Sequence, residues 1–273
     1  MIPGQAQQFF EAAAAQSGAS AFEIERSVRL NDGDSAYLNR TPSSAGNQRT
    51  FTWSGWIKRT ESGSNKTFFS SATSNTSNPR TDWQFYDDTL YITFNPSGSS
   101  WLEVRTDRVF RDFSAWYHIV VAVDTTQGTN TDRVKIYVNG VRETSFSSYS
   151  TITQNLELHI NSATEHAIGR YEAGDSNYFP GYLTEINFVD GQALAPTDFG
   201  ETNDDGLWIP KNYTFETNPN DGTTWSDAVP TADGFRPGRA AADAFDGDLS
   251  TYCALNNYTF NLDVGSCKSK SGY

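Results

Sequence analysis

The chain has 273 residues, of which 14% are aromatic and 19% charged, and its formal net charge is −13 at pH 7. A protein with this net negative charge repels the negative phosphates of nucleic acids, so we expect no nucleic acid partner. Two cysteines are too few for a disulfide framework, and the sequence contains no apolar run of about 18 residues that would insert into a membrane.

The first predicted element is a helix over residues 5–16, where Ala and Gln dominate and Gly18 provides an end. A lone helix of this length is marginal in water. We therefore expect residues 1–20 to form a helical arm that docks either on the chain's own domain or on a neighbouring subunit. Residues 1–4 have neither the basic nor the apolar region of a signal peptide, and none is expected.

Residues 21–210 contain short, apolar, strand-like segments separated by polar turns. This spacing is typical of an all-β fold built as a two-sheet antiparallel sandwich. Beyond extended segments within residues 22–40, the predicted strands lie at residues 51–59, 67–71, 83–86, 90–94, 101–106, 116–124, 133–138, 156–160, 167–169 and 181–189.

Two of these strands give the clearest pattern. Residues 116–124 are apolar almost throughout, as expected for a strand that is covered on both faces. Residues 133–138 alternate between apolar and polar side chains, and the pair Asn139 and Gly140 supplies a turn that tolerates positive φ. The sequence therefore predicts a hairpin with one dry face and one wet face.

Four ordered segments resemble those of laminin-G-like, concanavalin A-like jelly rolls: residues 51–58, 116–140, 168–170 and 179–195. The resemblance covers residues 51–199 and implies a two-sheet jelly-roll sandwich. This fold hosts lectins, hydrolases, adhesion modules and capsid components, so the resemblance specifies the fold more closely than the function.

The composition changes after residue 210, where Asn, Thr and Asp become frequent and residues 230–237 are typical of a linker. Residues 241–252 resemble the start of discoidin-like, galactose-binding-like sandwiches, with Tyr252 and Cys253 where that family has Trp. We predict that residues 211–273 form a linker and a partial or truncated second β-domain.

The sequence indicates no catalytic residues. Retaining glycosidases need two carboxylates about 5–5.5 Å apart, which the related glucanases carry on one strand as Glu-x-Asp-x-Glu. Residues 23–25 and 185–187 are only partial matches, and Glu185 is interpreted as structural. His118, His159 and His166 stand alone, so we interpret them as core or rim residues and expect neither enzymatic activity nor a zinc or iron centre.

We expect no cofactor. Bound calcium is the alternative, because jelly rolls of this family often hold Ca²⁺ at the sandwich rim. Acidic residues at hairpin ends also serve simply as turn formers. The candidate pairs are Asp32 with Asp34, Asp87 with Asp88, Asp124 with Asp132, and Asp204 with Asp205.

A sugar site needs aromatic rings beside Asp or Asn side chains, because a ring stacks on the sugar face while the polar groups bind its hydroxyls. The loop at residues 171–178 meets this description, and we predict carbohydrate binding by Tyr171, Asp175, Asn177 and Tyr178. Trp208 is a further candidate if it is exposed. The alternative is that the tyrosines close the end of the sandwich.

Residues 27–38 and 51–58 also resemble virion proteins of tailed bacteriophages from aquatic bacteria. That resemblance implies a non-enzymatic structural or adhesion protein located on the virion, such as a fibre, head decoration or tail appendage. It would contact other virion proteins through the arm, bind host surface glycan, and form a homo-oligomer, with a trimer favoured. The alternatives are a carbohydrate-binding module of a larger bacterial surface protein and, third, a glycan hydrolase.

Overall fold

The computed structural model describes residues 22–73, 79–97 and 101–214. Short 3₁₀ turns lie at Asp32–Asp34, Asn130–Asp132, Glu172–Gly174 and Pro196–Asp198. Within the described ranges, no helix has the length and apolarity that a membrane-spanning helix requires. The strands are β1 (Val28–Leu30), β2 (Leu38–Arg40), β3 (Thr50–Arg59), β4 (Lys66–Ala72), β5 (Arg80–Tyr86), β6 (Thr89–Asn95), β7 (Leu102–Val109), β8 (Tyr117–Asp124), β9 (Val134–Val138), β10 (Val141–Arg142), β11 (Phe146–Tyr149), β12 (Glu165–Ile168), β13 (Gly181–Asp190), β14 (Gly200–Thr202) and β15 (Trp208–Pro210).

Two large antiparallel sheets pack face to face. The six-stranded sheet has the order β1-β13-β3-β8-β9-β10, and the seven-stranded sheet has the order β11-β7-β6-β5-β4-β12-β2. This arrangement confirms the predicted all-β, two-sheet antiparallel jelly-roll sandwich. The predicted helical arm and residues 215–273 lie outside the described residues.

The core between the sheets is rich in aromatic side chains. Trp53 of β3 and Trp83 of β5 are fully buried and meet edge to face, with ring centroids 6.1 Å apart. Phe68 and Phe69 of β4 are both buried because a register shift at the start of that strand turns consecutive side chains inward. Aromatic pairs of this kind contribute about 0.5–1.5 kcal/mol each beyond the burial of their area.

A second, smaller apolar layer covers the outer face of the six-stranded sheet. Val120 of β8 and Val189 of β13 form a buried cluster with Phe199, and Leu194 and Tyr213 pack against it. The segment that follows β13 therefore lies over β8. This cover explains why β8 is apolar on both faces, as its sequence predicted.

One predicted strand is absent. Residues 156–160 form turns and irregular backbone, although Leu158 and Ile160 are buried. The amide of Leu158 donates to the carbonyl of Gln48, which lies in the loop before β3. Apolar side chains here enter the core from a loop, so their burial does not require a ladder of strand hydrogen bonds.

Candidate functional site

The outer face of the seven-stranded sheet carries polar side chains at its centre. Along β5, Trp83 and Phe85 point into the core. The alternation of a strand sends Arg80, Asp82 and Gln84 to the opposite face. Two of these three outward side chains are buried, which is uncommon for polar residues on a sheet exterior.

Strand register arranges this face in rows. Neighbouring strands lie about 4.8 Å apart, so a row across four strands spans about 14 Å. We call the two central rows the polar platform. The first row is Ser70, Asp82, Thr93 and Glu103, and the second row is Thr67, Gln84, Tyr91 and Arg105.

Asp82 is the buried acid of the platform, with 4% of its surface exposed. Its Oδ1 accepts a hydrogen bond from the Thr67 hydroxyl, and its Oδ2 accepts one from Gln84 Nε2, each at 3.0 Å. Burial raises the pKa of Asp82 to about 7, against the opposing effects of the Thr67 hydrogen bond and the nearby charge of Arg80. The side chain therefore exchanges its proton near neutral pH.

The side-chain amide of Gln84 has a hydrogen-bond partner at its nitrogen but none from the described residues at its oxygen. Its Nε2 donates to Asp82, whereas its Oε1 is buried and has no hydrogen-bond partner within the described part of the chain. Arg80 Nε is likewise buried without a partner there. A buried polar atom left unpaired costs about 1–3 kcal/mol, so this face holds an acceptor and a donor whose hydrogen-bonding capacity is left unused by the described residues.

Aromatic side chains border the platform. The Arg80 guanidinium lies 4.7 Å from the ring centre of Trp101 and 5.3 Å from that of Tyr171. Trp101 is 43% exposed, and its Nε1 donates to Tyr91 and Glu103 at 3.2 Å each. These bonds fix the orientation of an exposed indole beside the unpaired polar atoms.

The predicted sugar-binding loop is organised by Arg170. This guanidinium forms ion pairs with Asp175 and Glu172, each at 2.6 Å, and with Glu165 at 3.0 Å. The Tyr178 hydroxyl also donates to Asp175 Oδ1, at 2.7 Å. The structure thus brings Asp175 and Tyr178 together, with the carboxylate of Asp175 engaged in contacts inside the loop.

The other two residues of that prediction connect the loop to the seven-stranded sheet. The Asn177 carbonyl accepts from the Thr67 amide at 2.9 Å and so ties the loop to β4. Tyr171 contacts Arg80 at the border of the polar platform. The Tyr171 amide also donates to the Ser176 carbonyl at 2.8 Å, which brings the two ends of the loop together. The binding of sugar by these four residues stays a prediction.

Trp208 lies on the opposite side of the sandwich. Its Nε1 donates to His118 Nδ1 at 3.0 Å, and its ring stacks on the imidazole. His118 Nδ1 therefore carries no proton, and Nε2 donates to the Ser54 hydroxyl at 2.9 Å. Burial lowers the pKa of His118 to about 3. Trp208 closes the outer face of the six-stranded sheet, which removes it as a sugar-binding candidate, and His118 is the core residue that the sequence indicated.

The acidic pairs considered for calcium make protein contacts. Asp88 accepts ion pairs from Arg59 at 2.8 Å and from Arg111 at 3.1 Å, and Asp124 Oδ1 accepts from the Thr126 hydroxyl at 2.6 Å. Across residues 22–73, 79–97 and 101–214, no three His, Cys, Asp or Glu side chains are grouped as a metal site. Glu185 lies at an irregularity of β13 in the six-stranded sheet, away from the polar platform.

The platform residues Arg80, Asp82 and Gln84 were not among the predicted site residues. The Glu-x-Asp-x-Glu pattern of the related glucanases is absent from β5, which carries Asp-x-Gln, and the predicted strand began only at residue 83. The alternation of polar and apolar residues from Asp82 to Phe85 is a signal for the strand, but it does not show that Asp82 and Gln84 are buried.

Comparisons with known proteins give one matching family and several similar solved structures. Residues 31–198 match the family described as the Concanavalin A-like lectin/glucanases superfamily. A heptameric SAP-like pentraxin from Limulus polyphemus is 20% identical, with 64% of this chain and 76% of that chain covered and a TM-score of 0.41. Domain 4 of AbnA, a GH43 extracellular arabinanase from Geobacillus stearothermophilus in complex with arabinotriose, is 18% identical, with 64% and 80% covered and a TM-score of 0.40.

Domains LG4-5 of the mouse laminin alpha1 chain are 12% identical, with a TM-score of 0.45. The match covers 64% of this chain and 44% of that one, so this chain spans less than half of the laminin fragment. No curated protein matches the sequence.

Proposed function

This chain belongs to the concanavalin A-like lectin/glucanases superfamily, and we propose that it is a non-enzymatic carbohydrate-binding adhesion protein. The ligand lies on the polar platform of the seven-stranded sheet, with Trp101 and Tyr171 at the border. The family includes both lectins and glucanases, so the proposal rests on the chemistry of this face and not on the family alone.

The unpaired Oε1 of Gln84 is the observation that carries the proposal. A native protein rarely buries a polar atom without a partner, so the unused accepting capacity of Gln84 Oε1 calls for an explanation, and a ligand that displaces the side chains over it would supply one. Arg80 Nε adds an unpaired donor on the same strand, and Trp101 adds an exposed ring. Sugars offer hydroxyls that both donate and accept, together with an apolar face that stacks on aromatic rings, so they match all three groups.

The test is a glycan array followed by calorimetry with the full chain. We expect Trp101→Ala to weaken binding about tenfold, because ring burial and stacking together contribute about 1–2 kcal/mol. Leu207→Ala is the matched control, since Leu207 is exposed and precedes Trp208 on the opposite side of the sandwich. Equal affinities for wild type and Trp101→Ala would reject the platform as the binding site.

A glycan hydrolase is the second candidate, and the raised pKa of Asp82, about 7, is what favours it. Glu103 lies in the same row two strands away, a distance of about 10 Å between backbones. A hydrolase would release reducing ends from the bound glycan and would lose this activity in Asp82→Asn. We expect no release, and release that Asp82→Asn abolishes would replace the binding proposal with an enzymatic one.

Support for a virion setting comes from the resemblance of residues 27–38 and 51–58 to tailed-phage virion proteins. In this setting the protein is a homo-oligomer, favoured as a trimer, attached to other virion proteins through residues 1–20, and its ligand is host surface glycan. The alternative setting is a carbohydrate-binding module of a larger bacterial surface protein. Both settings use the same platform.

The oligomeric state of the full chain, compared with a version that lacks residues 1–20, distinguishes these settings. We expect the full chain to be an oligomer and the truncated chain to be a monomer, as measured by light scattering. Two monomers would reject the assembly arm and favour the surface-protein module.

A further inference from the structure

We propose that Gln84 determines the specificity of the platform, and that the proton on Asp82 sets which end of the Gln84 amide faces the ligand. The ligand that this arrangement selects at ionised Asp82 is an uncharged sugar that donates a hydroxyl to Gln84 Oε1. This inference rests on the proposed function and identifies the Gln84 amide as the group that distinguishes one ligand from another.

The hydrogen bonds of the ionised state fix the amide. Both carboxylate oxygens of Asp82 accept, one from Thr67 and one from Gln84 Nε2. The remaining oxygen, Gln84 Oε1, is then directed away from Asp82 and is unpaired among the residues described. A ligand hydroxyl that donates to Oε1 would satisfy the last unpaired atom of the amide. A ligand acceptor at the same place would be repelled, because Oε1 is itself an acceptor.

Protonation of Asp82 reverses this preference. A proton on Oδ2 would face the N–H of Gln84, so two donors would oppose each other. A half-turn of the amide places Oε1 against the new O–H and brings Nε2 to the ligand side, and the two orientations have the same shape. The platform then presents the donor Nε2 to the ligand in place of the acceptor Oε1. The sugar hydroxyl that donated to Oε1 no longer has an acceptor.

The elements packed around Asp82 carry other charged or titratable groups. They are Arg80 on its own strand, Lys66 on β4, Tyr91 on β6, Glu103 and Arg105 on β7, and Tyr171 and Glu172 in the loop after β12. Burial raises the pKa of Tyr91 to about 12 and also raises that of Tyr171, so both stay neutral near pH 7. Hydrogen bonds from Ser148 and Tyr91 lower the pKa of Glu103, so it stays ionised.

Glu172 is the remaining group that needs a control, because burial raises its pKa. Its carboxylate pairs with Arg170 at 2.6 Å, and its amide donates to Ser70 Oγ, beside Asp82 on the neighbouring strand. Glu172→Gln removes this titration and leaves the Asp82 to Gln84 hydrogen bond in place.

The first experiment uses the free full chain and needs no ligand. We expect the ¹⁵N side-chain amide signal of Gln84, assigned with Gln84→Glu, to shift between about pH 5 and about pH 9 with the titration of Asp82. The shift should persist in Glu172→Gln and in Thr67→Val, which removes the alternative acceptor for the acid proton, and it should vanish in Asp82→Asn. A signal independent of pH in folded wild type would overturn the inference.

The second experiment measures the affinity for cellohexaose, mannohexaose and xylohexaose as neutral probes. We expect the Kd of a bound probe to rise by about tenfold for each pH unit below the titration of Asp82, and to be weak and independent of pH in Asp82→Asn. An affinity that does not change with pH would overturn the proton dependence while leaving the proposed function intact. Failure of all three probes to bind, with a normal amide titration, would instead count against the proposed function and against Gln84 as its specificity residue.

Discussion

Arg59 places a positive charge inside the sandwich, where only 1% of its surface is exposed. It pairs with Asp88 at 2.8 Å, donates to the carbonyl of Phe110, and lies 4.6 Å from the ring centre of Phe85. Desolvating such a pair is expensive, so the net gain from the pair is small. Breaking it is far more costly, because the surviving charge would remain buried.

We therefore expect Asp88→Ala to lower the free energy of unfolding by about 3–5 kcal/mol in urea denaturation. The matched control is Glu157→Ala, which breaks the exposed pair with Arg49 and should cost less than about 1 kcal/mol. Similar losses in the two variants would contradict the role assigned to burial.

Asp82 makes stability depend on pH in the direction opposite to that of a paired carboxylate. Its pKa is about 7 in the folded chain and about 3.9 when unfolded. The folded state therefore binds more protons between these values, and stability falls as the pH rises through this range. Asp82→Asn should gain stability relative to wild type from pH 4 to pH 7 and hold that gain above pH 7, as measured by urea unfolding at each pH. A difference between the two proteins that stays constant with pH would reject the buried, titrating acid.

At the scale of elements, β8 shows how far sequence can lead. Its apolar run predicted cover on both faces, and the core covers one face while Phe199 and Leu194 cover the other. β5 shows the limit, because Arg80 and Asp82 made its first half appear to be a loop. An outward polar side chain that is buried by its neighbours has the same sequence signal as a solvated one, so the platform is visible only once the register is known.

The Trp208 ring packs closely against the hairpin turn between β9 and β10. Gly140 has φ +78°, and a Cβ there would lie 2.5 Å from the Trp208 ring. We expect Gly140→Ala to destabilise the fold by about 1–3 kcal/mol through overpacking and strain, measured by thermal unfolding. Gly128→Ala is the control, since a Cβ at Gly128 meets no atom within 4 Å. Equal destabilisation by Gly140→Ala and Gly128→Ala would show that close packing of Trp208 against the turn does not restrict the side chain at residue 140.

At the scale of the whole molecule, the two sheets differ in what covers them. The segment after β13 covers the outer face of the six-stranded sheet, whereas the seven-stranded sheet carries the polar platform on its outer face. The sandwich was predictable from the spacing of strands and turns. The assignment of one covered face and one polar face was not, because it depends on where residues 191–214 return in space.

The pairing of β1 with β13 has a consequence for how quickly the sandwich forms. Val28 pairs with Leu183, so the first strand of the six-stranded sheet finds its neighbour only after nearly the whole domain has been synthesised. Contacts so distant along the chain carry a large loop-closure entropy, and sandwiches dominated by them fold in about milliseconds to seconds. The side chains that cover the outer face of β8, those of Leu194, Phe199 and Tyr213, follow β13 in the chain. This apolar face therefore stays uncovered during synthesis until they emerge from the ribosome.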